Sequence, residues 1–275
     1  MNLRNPLPLA LALICAVPSG AWSDDAPRAQ AGSVDPWARD LALVHRLTQE
    51  ASQKGIMAIE PHAAELEAAL GAARQSTALA NSRGIYLTDG TADTLGAMAL
   101  AAGTAERAIA VANPYSTIAM YLGVYYDEVG RAEDALRVLD LGLALSSDLS
   151  DMRAPLTIER GAALMGLKRW DDVIANEDAG LKLTVIENPG KAKLYRGRGY
   201  ALTELNRLDE AEEAYKESLD LEPGNELANH ELAYIRALKA GAPRAPGGLK
   251  PLTPPAPPSQ PDRQAPGTDK PDSTL

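Results

Sequence analysis

The 275-residue chain has no phenylalanine, one cysteine, three histidines and three tryptophans. With alanine abundant and the bulkiest apolar filler missing, the composition favours closely packed helices over a β-rich core. The single thiol, Cys15, falls inside an apolar N-terminal stretch, and beyond residue 23 the chain has none. That excludes a disulfide, a cysteine-ligated metal and a thiol nucleophile there, so packing alone must hold the fold. His45, His62 and His230 are scattered, with no HExxH or paired spacing, and no metal or cofactor is expected. His45 reads as a core or boundary residue and His62 as a solvated one in a first helical turn. No serine sits in a GxSxG context and no GxxxxGK[ST] loop is present, which removes the commonest signals for acyl and phosphoryl chemistry. Basic residues are the minority sign, 27 Lys and Arg against 37 Asp and Glu, for a net charge of −10. Nucleic acid and anionic membrane are poor partners for such a surface.

Long apolar runs are also missing. The stretch 7–17 (LPLALALICAV) has eleven residues, short of the roughly 20 that cross a bilayer core. Arg4 precedes it, Pro18-Ser19-Gly20 breaks it, and Ala21 and Ser23 supply small residues before Asp24. Residues 1–23 therefore read as a secretory signal, making the mature chain periplasmic or secreted, with no stable membrane anchor after cleavage. A lipid anchor would want a small residue before Cys15, and Ile14 stands there.

Residues 24–35 read as a flexible lead-in. The N-terminal helical region, 36–113, begins with PWARDLALVHRLTQEASQKG, in which Trp37, Leu41, Val44, His45 and Leu47 share a face and Gly55 ends the helix. A second helix is expected over 61–76. Between 77 and 113, Gly84, Asp89-Gly90 and Gly103 separate the apolar pieces IYL, LGAMALAA and ERAIAVA, which read as short helices. The piece GTAERAIAVANP reads as the second helix of a degenerate repeat ending at Pro114. Ten of the chain's twenty prolines lie in 241–275, a disordered tail with polyproline II character. Its two PxxP spacings match a ligand motif, but such spacings are frequent in any Pro-rich tail and the composition favours a spacer.

Between these ends a repeat is legible. Gly123, Gly161 and Gly199 stand 38 residues apart, and Tyr126, Leu164 and Leu202 follow them in step. So do Ala135, Val173 and Ala211, then Gly142, Gly180 and Ser218. The turns Val129-Gly130-Arg131, Leu167-Lys168-Arg169 and Leu205-Asn206-Arg207 coincide as well. A mid-helix glycine costs about 1 kcal/mol against alanine, so three in register point to a packing demand. The clearest copy, 191–225, places Tyr195, Gly199, Leu202, Ala211, Tyr215, Ser218 and Pro223 at positions 4, 8, 11, 20, 24, 27 and 32. It resembles the tetratricopeptide repeat, with Arg198 replacing the usual leucine at position 7. The family period is 34, so extra residues are expected over 146–151 and 186–191. A last helix over 226–238 reads as a cap.

The resemblance implies an all-α fold: a helix-pair solenoid over 114–240 behind the N-terminal region. It further implies a concave groove lined by positions 2, 5, 9 and 12. Carried over, these are Thr117, Met120, Val124 and Asp127, then Pro155, Ile158, Ala162 and Met165, then Lys193, Arg196, Tyr200 and Thr203. Leu227, His230 and Tyr234 complete the row. The groove would be apolar first and basic-aromatic second, suiting a peptide with an apolar anchor and a carboxylate. Equally, these residues could pack against the N-terminal helices. The family's carboxylate-clamp adaptors carry asparagine at position 9; here it is Val124, Ala162 and Tyr200, so that activity is not implied. The expectation is a non-enzymatic scaffold for a protein or peptide partner. The alternatives are an enzyme with a site around Asp40, His45, Glu60 and His62, or a self-assembling envelope protein.

Overall fold

The computed structural model describes residues 35–102 and 108–244. The expected signal, the lead-in up to residue 34 and the tail from 245 onward lie outside them. Helix α1 (Pro36–Lys54) opens with proline in its first turn and stops at Gly55, whose φ of 79° suits glycine. It buries Asp40, Leu43, Val44, Leu47 and Ala51. His45 is exposed, so it does not join the apolar face assigned to it. A 3₁₀ turn (Ile56–His62) absorbs Pro61, and α2 (Ala63–Ser82) follows, running past the expected end at residue 76.

The stretch after α2 corrects the sequence reading. Ile85–Thr88 is strand β1 and Ile109–Ala112 is strand β2, paired in parallel with Ile85 opposite Ile109 and Thr88 opposite Ala112. Helix α3 (Thr91–Ala101) connects them through residues 103–107, which are outside the described set. The pieces IYL and IAVA are therefore strands, and Pro114 starts a helix instead of ending one. Asn113 caps that helix by accepting from Tyr115 N–H at 3.0 Å. Asp89, just past β1, ties this unit to the first two helical hairpins. Its carboxylate accepts from Ser116 Oγ (2.6 Å), Ser150 Oγ (3.0 Å) and Asn113 Nδ2 (3.2 Å).

The rest is helical: α4 (Pro114–Glu128), α5 (Ala132–Leu145), α6 (Arg153–Gly166), α7 (Trp170–Gly180), α8 (Asn188–Glu204), α9 (Leu208–Leu221) and α10 (Glu226–Lys239). No described helix is long and apolar enough to cross a membrane. Among the described residues the strands are confined to the short β1–β2 pair, and the fold is the all-α solenoid expected. The wider spacing of the copies arises between hairpins, where α5–α6 and α7–α8 are joined by 146–152 and 181–187 against 222–225 between α9 and α10.

The three hairpins repeat atom by atom. Gly130, Lys168 and Asn206 all take left-handed φ, at 78°, 57° and 61°. The next N–H in each copy reaches back to the carbonyl five residues earlier: Arg131 to Tyr126 (2.7 Å), Arg169 to Leu164 (3.0 Å) and Arg207 to Leu202 (2.8 Å). Gly130, Lys168 and Asn206 donate to Asp127, Met165 and Thr203, each at 3.0 Å. This is the Schellman closure of a helix C-terminus.

The aligned glycines sit at equivalent helix crossings. A Cβ on Gly123 would lie 2.6 Å from Leu139 Cδ2, one on Gly161 2.3 Å from Glu177 Oε1, and one on Gly199 2.8 Å from the Tyr215 ring. Leu139, Glu177 and Tyr215 are themselves 38 residues apart. The second set closes the other end of each hairpin: a Cβ on Gly142 would meet Ala119 Cβ at 2.5 Å, and one on Gly180 would meet Thr157 Cγ2 at 3.0 Å. Each missing methyl thus admits the partner helix.

Arg198, the departure at position 7, has an equivalent in Arg160. Arg160 pairs with Asp140 of the preceding hairpin at 2.6 Å, and Arg198 pairs with Asp178 at 2.9 Å. The pairs recur with the repeat period and replace an apolar contact by an inter-repeat ion pair. Being half-exposed, each contributes about 0.2–1 kcal/mol. They fix register more than they stabilise.

Candidate peptide-binding groove

The first helices of the hairpins, α4, α6 and α8, stack side by side, with α6 touching both neighbours. The face expected to be open on α4 is closed. Helices α1 and α2 and the 3₁₀ turn all pack on α4. Tyr115 Oη donates to Asp40 Oδ2 (3.2 Å), Tyr121 Oη to Thr48 Oγ1 (2.6 Å), and Tyr126 Oη to Glu67 Oε1 (2.8 Å). Met120 is 1% exposed and belongs to one buried cluster with Leu43, Leu47 and Ile59. Met120 therefore cannot line a groove. It is core, because the N-terminal helices cap the first repeat.

Val124, Ile158 and Met165 are half-buried, as are Lys193, Tyr200, His230 and Tyr234. Val124 and Met165 pack their inner sides against the core. Tyr200 meets the Trp170 ring edge-on, with centroids 5.8 Å apart. Of these, Ile158 and Met165 stand on α6, Tyr200 on α8, and His230 and Tyr234 on α10.

The charge of the second half differs from the expectation. Arg196 is taken up by the second helix of its own hairpin, pairing with Glu222 at 2.6 Å and donating to Ser218 Oγ at 3.0 Å. Its side chain is 14% exposed, so it offers no free guanidinium to a ligand. Lys193 faces Glu159, which is buried on α6; burial pushes that carboxyl up to about 7 against the pull of Lys193. Two more carboxyls are buried nearby. Glu177 is raised well above the usual range by desolvation, and its Oε2 has no hydrogen-bond partner. Glu231 on α10 is pushed up to about 7 by burial and by Glu204. The second half thus keeps Lys193, loses Arg196 to Glu222, and carries buried carboxyls beside aromatic rings. Sequence reasoning passed over Glu159, Glu177, Glu204 and Glu231. Two of them left a signal in the register: Glu177 aligns with Leu139 and Tyr215, and Glu159 with Tyr121 and Gly197.

The alternative constellation in the N-terminal region is spread over α1 and the 3₁₀ turn. Asp40 is buried and bonded to Arg39 and Tyr115, Glu60 is exposed, and His62 lies 3.8 Å from Glu65. Among the described residues no group of three or more His, Cys, Asp or Glu is placed to hold a metal ion.

The stacked helical hairpins with glycine crossings define a solenoid of the helix-pair class. The sequence profile of the tetratricopeptide repeat matches residues 192–225, so the third hairpin is a repeat of that kind. Among solved structures, the first such domain of the human RPAP3 protein is similar at 24% identity, with a TM-score of 0.42 over 46% of this chain and 94% of that one. The first such domain of Spaghetti (RPAP3), bound to the HSP90 peptide SRMEEVD, matches at 25% identity and TM-score 0.41, over 46% and 94%. The Arabidopsis OM64 domain matches at 20% identity and TM-score 0.41, over 45% and 96%.

Proposed function

We propose that this chain is a non-catalytic, exported scaffold that holds an extended or helical segment of a partner protein along α6, α8 and α10. The observation that carries the reading is a row of half-buried, ligand-sized apolar and aromatic side chains on successive first helices: Ile158, Met165, Tyr200 and Tyr234. The adaptable methionine suits a side-chain anchor, and a groove between stacked hairpins suits a peptide more than a small molecule. The N-terminal helices act as a cap, so recognition begins at the second hairpin. Export rests on residues 1–23 of the sequence.

Ile158→Asp with Met165→Asp should abolish partner capture from an envelope extract of the source cells. The charge reversals Glu213→Lys and Glu217→Lys, on the exposed side of α9, should leave it intact. Retention of the same partner by the aspartate pair would remove the groove from the account.

A further inference from the structure

The C-terminal end of the groove holds a carboxylate without a counterpart. Glu231 is 4% exposed, and its Oε2 is sealed from solvent with no hydrogen-bond partner. Buried without a partner, it keeps its proton up to about pH 7, and a cation seated on it would take the place of that proton. Around it stand Tyr200 and Glu204 on α8 and Tyr215 on α9, all close enough to feel its charge. Neither Glu204 nor Glu231 forms an ion pair with a described residue. Two arginines of this end of the solenoid have other tasks. Arg196 is held by Glu222, and Arg244 donates to the Thr203 carbonyl and, at 3.3 Å, to Asn206 Oδ1. Two carboxylates beside aromatic rings, one of them sealed and unpartnered, make a receptor for a cation.

We propose that Glu231 and Glu204, flanked by Tyr200 and Tyr234, receive a lysine or arginine side chain of the bound partner. The assignment rests on the groove reading above and names the chemistry of its ligand. The ammonium or guanidinium passes the half-exposed Glu204 and Tyr200 and donates to Glu231, while apolar residues of the same segment lie on Ile158 and Met165. The polarity is opposite to that expected from Lys193 and Arg196 in the sequence.

A random twelve-residue peptide library panned against the full chain tests this. Peptides from the wild type should be enriched in Lys or Arg at a fixed distance from an apolar residue. Glu204→Gln and Glu231→Gln should each erase that enrichment, and a recovered basic peptide should bind either variant at least about tenfold more weakly. Glu204 is half-exposed, so its variant reads the site without a folding cost. Peptides without basic enrichment, or with enrichment unchanged in both variants, overturn the cation assignment and leave the groove standing. Peptides whose binding survives Ile158→Asp with Met165→Asp overturn the groove instead. Enrichment seen only when Lys250, Arg263 and Lys270 are replaced by alanine would name the chain's own tail as occupant and overturn the assignment to a partner.

Discussion

Gly142→Ala is expected to destabilise the protein, although alanine is the better helix former. The added methyl would stand 2.5 Å from Ala119 Cβ and 3.2 Å from Leu156 Cδ2. Ala119 has no rotamer to yield, so α4 and α5 must separate. Overpacking of this kind costs about 1–3 kcal/mol, against about 1 kcal/mol gained in helix propensity, and the balance is a net loss. Gly71, in the middle of α2, has nothing within 4 Å of an added Cβ, so Gly71→Ala should gain about 1 kcal/mol. Urea unfolding of the two variants beside the wild type checks the pair. A Gly142→Ala protein as stable as Gly71→Ala would mean that the hairpins do not close through this crossing.

Glu177→Leu is expected to act in the other direction. In the first hairpin the same niche, over Gly123, is filled by Leu139, so the fold already accepts leucine there. Glu177 places a carboxyl between Gly161 and Gly197 with one oxygen unpartnered. A buried polar group left without a partner costs about 1–3 kcal/mol, which an apolar side chain of similar shape would recover. The variant should also lose pH dependence. Glu159 and Glu231 are raised to about 7, Asp89 to about 6, and Glu177 well above the usual carboxylate range, chiefly by burial. Raised carboxyls bind protons in the folded state that the unfolded chain has released. Their stabilisation is therefore complete below about pH 4 and is lost as pH climbs through the folded values. The shift at Glu159 alone corresponds to on the order of 3 kcal/mol across that window. Carboxyls held low by arginine, Glu67 and Asp134 among them, oppose this only as pH falls below the ordinary carboxylate range. Wild-type protein should melt at a higher temperature at pH 5 than at pH 7.5, with a smaller difference in Glu177→Leu. A melting temperature that rises with pH would contradict the burial of these groups.

The solenoid was legible because its determinants are local or periodic. A left-handed turn residue and two close crossings per hairpin leave small residues in register, and Gly123, Gly161 and Gly199 announce the crossings without any tertiary knowledge. The β1–β2 pair was not legible. IYLT and IAVA are four-residue apolar runs, too short for either period to declare itself, and each becomes a strand only by finding the other. The stacking of the first helices α4, α6 and α8 was legible as well. What each side chain does there depends on neighbours far along the chain. Met120 is covered because α1, the 3₁₀ turn and α2 pack on α4, and Arg196 is silenced by a glutamate 26 positions away. The buried carboxylates stayed hidden because glutamate on a helix reads as surface. Glu177, whose equivalents are Leu139 and Tyr215, and Glu159, whose equivalents are Tyr121 and Gly197, were the exceptions available to inspection.

The central claim is that this solenoid holds a partner on its first helices. A photo-crosslinking amino acid placed singly at Met165, Tyr200, Glu213 or Glu217, in cells that make the protein, tests it most directly. The account predicts one partner adduct from the first two positions and none from the two on the outer face of α9. Adducts from the outer positions, with Met165 and Tyr200 silent, would contradict it.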